Sequence, residues 1–273
     1  MSESGNGLSV AVYRDAPPRI EVSGQADFHT RERISDAFDD LLDEGYCTIC
    51  ADLSNLYYMD SSGLSALIRC AKRAAQAGGA IELLGVSEQV SRVLTMCGAA
   101  TFFRADIAAV PVCGEDDCVT PPDGFWQVSD FSVPAAPEAA AFTRMRIGEV
   151  ISSVPMSKAG HQDVLVAVGE ALANAIKHGC NCDAARRISV KCVAGPTRLA
   201  IDVSDSGPGF DLDSICEPSP ESLIEGGMGI HIMREVMDDV HFSFETGTTV
   251  RLVKLISSPD PEKPREPAEL VEL

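Results

Sequence analysis

Three short segments, in a fixed order, constrain this chain more than its composition does. The first is Glu170-Ala-Leu-Ala-Asn174, the second Asp205-Ser-Gly-Pro-Gly-Phe210, the third Gly226-Gly-Met-Gly-Ile230. Residues four apart on a helix share a face, so Glu170 and Asn174 project together, with His178 one turn on. Val164, Val168, Leu172 and Ile176 supply another, apolar face of the same predicted helix. A carboxylate beside a carboxamide can position a nucleophile and a metal ion; by itself, the pattern equally describes a helix with a polar outer face. Leu199, Ile201 and Val203 predict a strand that delivers Asp205 to a sheet edge, and Gly207 and Gly209 allow a tight turn there. Alone, that segment is just a turn. Gly226 to Ile230 opens a helix, where bare amides and the positive dipole end can cradle an anion. In this order and spacing the three describe a nucleotide site.

Upstream lies a second phosphate-related motif, Met59-Asp60-Ser61-Ser62-Gly63, where a strand runs through a loop into a helix. Two readings stand side by side. Asp60, Ser61 or Ser62 caps the helix, or one of the serines receives a phosphate. A donor site and an acceptor site in one chain suggest a phosphorylation switch.

The rest of the pattern is alternating strands and helices, an α/β chain in two domains. Residues 8–15 and 19–23 read as paired strands around Pro17-Pro18, 30–43 as a helix ended by Gly45, and 46–53 as a strand. Residues 63–77 form a helix with Leu64, Leu67, Ile68 and Ala71 inward, 81–86 a strand, and Ser87 caps a helix that runs to Gly98. These make a domain over residues 1–104. Residues 105–124 read as a linker, and 125–256 as a second domain. In it, helices are predicted at 137–153, 161–178 and 228–238, and strands at 187–193, 198–204 and 248–256. The segment 211–225 reads as a loop, and 257–273 as a disordered acidic tail.

Composition removes several function classes. With 273 residues, 22 Lys and Arg against 41 Asp and Glu, and a net charge of −19, the chain has no basic surplus to displace counterions from nucleic acid. It favours a partner with a basic face instead. No apolar run reaches the length of a membrane span, and the first residues lack a signal peptide's pattern. A cytoplasmic chain follows as the expectation, its ten cysteines mostly reduced thiols. Cys47 and Cys50 read as small buried hydrophobes in a strand.

Two resemblances sharpen this. Residues 125–256 resemble the GHKL (Bergerat-fold) ATPases, and within them the anti-sigma factor serine kinases. Gly169 to Gly179, Gly229 to Val240 and Gly247 to Leu252 carry the likeness. It implies an α/β sandwich that binds ATP and Mg²⁺. By position, Asn174 holds Mg²⁺, Glu170 is the general base, and Asp205 meets the adenine amino group. Gly207 and Gly209 shape the purine pocket, with Thr249 beside Asp205. Gly227, Met228 and Gly229 meet the phosphates, and 211–225 is the lid. Residues 8–104 resemble the STAS domain of anti-sigma factor antagonists, a mixed sheet with helices. There the likeness implies Ser62 as the phosphate acceptor, with Ser61 the alternative. The chain then reads as an antagonist fused to its kinase, a partner-switching regulator of transcription. The implied partners are a sigma factor or other regulatory protein, antagonist or kinase partners in cis or trans, and a second copy of the chain, since such kinases tend to dimerise. The rival reading is a nucleotide-gated binding scaffold without catalysis, which needs Asn174, Asp205 and the glycines but not Glu170.

Overall fold

A computed structural model describes residues 7–105, 127–195, 197–211 and 228–256. The expected linker beyond Ala105, most of the lid and the tail lie outside the described residues.

The first domain is built on a mixed sheet. Strands β1 (Ser9–Tyr13) and β2 (Arg19–Ala26) form the expected antiparallel pair, with Val10 opposite Val22 and Val12 opposite Ile20. Strand β3 (Thr48–Leu53) runs parallel to β2, β5 (Ala80–Val86) parallel to β3, and β6 (Arg104–Ala105) parallel to β5. A short strand the pattern missed, β4 (Leu56–Met59), pairs with the far end of β2. Parallel neighbours require crossovers, and helices α1 (Arg31–Asp43), α2 (Ser61–Gln76) and α3 (Glu88–Met96) provide them. Leu64, Leu67, Ile68 and Ala71 of α2 are buried as the periodicity required. Cys50 is buried in β3, whereas Cys47 falls just before the strand and is half-exposed.

The start of α2 departs from the expected boundary. The helix begins two residues earlier, because Asp60 is its cap: one carboxylate oxygen accepts the amides of Ser62 (2.8 Å) and Gly63 (3.1 Å). Ser61 and Ser62 therefore occupy the first helical turn, where backbone amides are free of intrahelical partners. Gly63 lets this turn press onto β2. A Cβ there would stand 2.6 Å from the Ala26 carbonyl oxygen and 2.8 Å from the Ala26 Cβ.

The second domain is a two-layer sandwich. An antiparallel sheet in the order β10 (Asp239–Ser243), β11 (Thr248–Leu255), β9 (Arg198–Asp205), β8 (Arg187–Ala194), β7 (Gln127–Pro134) carries helices on one face. Those helices are α4 (Ala139–Ile151), α5 (Lys158–Asn174) and α6 (Gly229–Val236). Alternation in β8 and β9 buries Ile188, Val190 and Cys192, and Leu199, Ile201 and Val203. The intervening residues of β8 stay on the outer face, as a one-sided antiparallel sheet demands. Val164, Val168, Leu172 and Ile176 are buried, the apolar face expected of α5. Strand β10, which the sequence pattern did not include, follows directly on the helix expected at 228–238. The helix stops at Val236, because Met237 turns extended (ψ 150°).

Because α2 and β2 meet through a glycine, Gly63→Ala is expected to behave as an overpacked core change and cost about 1–3 kcal/mol. Urea denaturation of the full chain checks this; an unchanged midpoint would mean that the contact yields freely.

Candidate functional site

The three sequence boxes converge along the C-terminal half of α5. Asp205 ends β9 and its carboxylate accepts the Gly207 amide at 2.7 Å. Any side chain at Gly179, just past α5, would collide with that carboxylate, and a Cβ at Gly207 would lie 2.5 Å from the Gly179 Cα. Glycine at both positions is thus required for the close approach. Burial raises the Asp205 pKa, opposed by the Gly207 and Thr248 amides and the Arg186 charge. Arg186 clamps the same corner, donating to the Gly179 carbonyl (2.8 Å) and the Ser206 hydroxyl (2.8 Å). Gly209 adopts φ 78°, the left-handed region. Beside it, Phe210 packs edge-on against Phe242 and Phe244, centroids 5.6 and 5.3 Å apart.

One expected neighbour of Asp205 is displaced by a single register position. Thr248, not Thr249, lies directly across from Asp205, while Thr249 pairs with Ser204 and its hydroxyl meets the Ser204 hydroxyl at 2.8 Å. Directly opposed residues share a face of the sheet, so Thr248 takes the place beside Asp205 expected for Thr249.

At the other end, the start of α6 abuts Glu170 and Asn174. A Cβ at Gly229 would stand 2.6 Å from the Glu170 Oε2 and 3.6 Å from the Asn174 Nδ2. Met228 caps α6 with its side chain buried, which leaves only its backbone to face a ligand. Gly227 lies outside the described residues. Beyond Asn174, the helix widens into a π-turn, Ala175–Gly179, with the Cys180 amide on the Ala175 carbonyl at 2.8 Å. This breaks the four-residue spacing. His178 is exposed and Lys177 points inward instead.

Glu170 is not on a polar outer face. It is 1% exposed, because the first domain covers it. Its two oxygens accept from one residue: the Ser61 amide on Oε1 (2.6 Å) and the Ser61 hydroxyl on Oε2 (2.7 Å). Ser62, the acceptor expected from the resemblance, has a different partner. Its oxygen accepts from the Lys177 ammonium at 2.8 Å, and that ammonium also lies 4.1 Å over the Phe28 ring. The sequence offered both serines; the structure aims Ser61 at Glu170.

Residues that no local motif marked complete this interface. Arg144 of α4 is buried between the domains, donating to Asp27 (2.7 Å) and Gln25 (2.5 Å) with its guanidinium 4.0 Å above the Tyr58 ring. Tyr58 in turn fills the space a side chain at Gly169 would need. Sequence gives no hint of it: Arg144 shares its helix with Arg146 and Glu149, and its hydrogen-bond partners are over a hundred residues away. On the rim, Arg92 of α3 bridges to Asp163 of α5.

The interface holds three carboxylates, Asp27, Asp60 and Glu170, against two cations, Arg144 and Lys177, with the Tyr58 phenol between them. Burial pushes the Glu170 carboxyl up to about 7, with the Asp60 charge adding to the effect and the Ser61 bonds and Lys177 opposing it. Burial, then the Asp27 charge, raises Asp60 likewise. By contrast, the thiols of Cys70, Cys97 and Cys192 are pushed up to about 12 by burial and are inert.

The residues fit a nucleotide with a magnesium ion. Glycines line both ends, and a carboxylate sits at one end and a carboxamide at the other. Among the described residues no cluster of three or more His, Cys, Asp or Glu could hold a metal, but magnesium bound to phosphates needs only one or two protein groups.

Comparison with known proteins gives the class. Residues 11–110 match the STAS domain, and residues 133–254 match the histidine kinase-like ATPase domain. Over its second half the chain is 32% identical to the serine-protein kinase RsbW of Bacillus licheniformis, spanning 45% of this chain and 82% of that protein. It is 30% identical to RsbW of Bacillus subtilis, over 47% and 85%. Through this domain the chain belongs to the RsbW serine-protein kinase family, and it carries a STAS domain in front. A solved anti-sigma factor antagonist from Mycobacterium paratuberculosis aligns with 38% of this chain and 89% of its own at 17% identity and a TM-score of 0.35. No described helix is long and apolar enough to cross a membrane.

Two expectations follow. Asp60 and Glu170 bind protons more tightly in the docked form, so docking is strongest below about pH 4.5, the ordinary Glu value, and weakens as pH rises through about 7. Small-angle scattering should show a larger radius of gyration at pH 8.5 than at pH 5.5; the opposite trend would contradict the buried charge arrangement. Gly169→Ala, which drives a methyl into Tyr58, should open the domains at both pH values while α5 gains helix propensity. The same scattering measurement reads it.

Proposed function

We infer that this chain is an ATP-dependent protein serine kinase that phosphorylates the STAS domain of its own chain on Ser61. The observation that supports this reading is the Ser61 hydroxyl donating to Glu170 at 2.7 Å. That is the distance a general base needs from the proton it removes. Its pKa, raised to about 7, matches the base to neutral pH.

ATP supplies the γ-phosphoryl group. Glu170 takes the Ser61 proton as the Ser61 oxygen bonds to phosphorus, and the bond from phosphorus to the bridging oxygen breaks to release ADP. Asn174 would hold Mg²⁺, with the backbone of Gly227, Met228 and Gly229 on the phosphates. Asp205 and Thr248 would hold the adenine, with Gly207 and Gly209 shaping its pocket. Such transfers depend on positioning and charge neutralisation more than on covalent help.

Phosphate on Ser61 adds about −1.5 to −2 charges beside Asp60 and Glu170, with Lys177 the nearest cation. The helix N-terminus offsets part of this, but once Glu170 passes the proton it took to water, three negative groups share one buried space. The modified domain is expelled from the kinase site, which becomes free for another partner. This supports a partner-switching regulator. In this reading the kinase alternates between its own STAS domain and a target, which we take, from the resemblance to anti-sigma factor kinases, to be a sigma factor or a comparable regulator.

The test is incubation of the full chain with Mg-ATP and location of the phosphate by peptide mass spectrometry. Phosphate is expected on Ser61 in the wild type and in Ser62→Ala, and on neither serine in Ser61→Ala. Glu170→Gln should slow incorporation about 10²–10⁴-fold. ATP binding with no phosphate on either serine would replace the kinase reading with a nucleotide-gated scaffold.

A further inference from the structure

The first domain touches one stripe of α5 and its extension. Asp163, Val166, Glu170 and Lys177 follow one another at near-helical spacing, and each faces a different part of the STAS domain. Asp163 meets Arg92. Val166 lines a small cavity with Gln89, Val93 and Met96 of α3. Glu170 meets Ser61, and Lys177 meets Ser62.

Arg92 engages both oxygens of Asp163, Nη1 to Oδ1 at 2.9 Å and Nη2 to Oδ2 at 3.1 Å. This forked geometry fixes direction as well as distance. Asp163 is buried (side chain 7% exposed) and is held from behind by Lys254 of β11 at 3.1 Å. That ammonium is itself anchored on the Val236 carbonyl at 2.6 Å. The kinase domain thus presents Asp163 as a fixed, already neutralised point.

On the other side, Arg92 is rigidly connected to the acceptor serine. The hydroxyl of Ser87, which caps α3, donates to the Leu56 carbonyl at 2.6 Å. Leu56 opens β4, and β4 runs through Met59 directly into Asp60 and Ser61. Arg92 and Ser61 are therefore two ends of one solid piece. Asp163 and Glu170 are seven residues, or about 10.5 Å, apart along one helix.

We propose that Arg92 is a positioning residue that sets the register of the acceptor helix against α5, selecting Ser61 over Ser62 and making the transfer intramolecular. Successive helix residues differ by about 100° of turn and about 1.5 Å of rise, so presenting Ser62 to Glu170 in place of Ser61 requires the first domain to rotate and shift against α5. Arg92 moves with that domain, and such a movement would break its fork on Asp163. One contact alone does not distinguish the serines; two contacts 10.5 Å apart do. Arg92 touches none of the reacting atoms, and its side chain is 42% exposed, so its loss leaves each domain's core intact.

The inference rests on the kinase reading above, so its test carries one arm that needs no catalysis. In the full chain without nucleotide, hydrogen exchange of the Ser61 amide reports docking, because that amide donates to Glu170. Arg92→Ala should speed its exchange about tenfold, the loss of a hydrogen-bonded pair to a charged group, with the amides of β8 and β9 unchanged. Arg92→Lys should fall between. With Mg-ATP, the wild-type rate constant for Ser61 should not vary with protein concentration. In Arg92→Ala it should fall about tenfold at low concentration, rise with concentration, and deposit measurable phosphate on Ser62. Unchanged Ser61 exchange in Arg92→Ala overturns the proposal whether or not the protein is an active kinase. A wild-type rate that already scales with concentration, or Ser61 labelling in Arg92→Ala identical to wild type, also overturns it. Altered exchange in a chain that incorporates no phosphate would retain the docking role of Arg92 and remove the kinase reading alone.

Discussion

A single carboxylate holds the two halves of this molecule in a defined relation. Glu170 receives both the amide and the hydroxyl of Ser61, residues 109 positions apart in the chain. Everything else in the interface can be understood as making that contact tolerable. A carboxylate removed from water is costly unless it is hydrogen-bonded. Here the bonds come from the first turn of α2, where an amide is free because no helical carbonyl can reach it. The acidic cap at Asp60 would repel Glu170, and the ammonium of Lys177, lying over Phe28, sits where it opposes both charges. Arg144 closes the same region from α4 by satisfying Asp27.

Most of the fold was legible because its determinants are local. The periodicities of α1, α2 and α5 and the alternation in β8 and β9 each reflect burial on one face, which the sequence states directly. The three nucleotide boxes were legible for the same reason: glycine at 179, 207 and 209 marks close backbone approach wherever it happens. What escaped was what depends on contact across the chain. Strand β4 is too short to show a period, and it exists because β2 is there to pair with it. The shift from Thr249 to Thr248 is a matter of register, which a strand's own residues do not reveal. The pairing of Glu170 with Ser61 and not Ser62 was hidden for a similar reason. Both precede the same glycine on the same turn, and only the domain docked against them tells them apart. Arg144 carried no motif at all, because its meaning lies in Asp27 and Gln25.

Joining a STAS domain to a kinase-family domain changes the arithmetic of their encounter. Tethered modules meet at an effective concentration of about millimolar, so even a modest interface remains largely occupied. The interface here has the character of a reversible one. Its rim bridge from Arg92 is partly solvated, and the buried charges around Glu170 and Arg144 lie beside apolar contacts between α3 and α5. Around Glu170 three carboxylates, Asp27, Asp60 and Glu170, face two cations, Arg144 and Lys177, which makes closure sensitive to any further negative charge.

That sensitivity joins the chemistry to the switch. In the proposed reading, the arrangement that poises the Ser61 hydroxyl for transfer is the one least able to accommodate its product. Before transfer, Glu170 accepts a hydrogen bond from the Ser61 hydroxyl. Afterwards that donor would be gone, and a phosphate of about −1.5 to −2 charges would occupy its place, directly beside the Asp60 cap. Lys177 can balance only part of this. In the reading proposed above, the reaction destroys the contact that permitted it, and no separate signal is required to end the docked state. In a protein whose net charge is −19, a STAS domain so released has little electrostatic reason to return. Removal of phosphate from Ser61 would then decide when the kinase site is covered again.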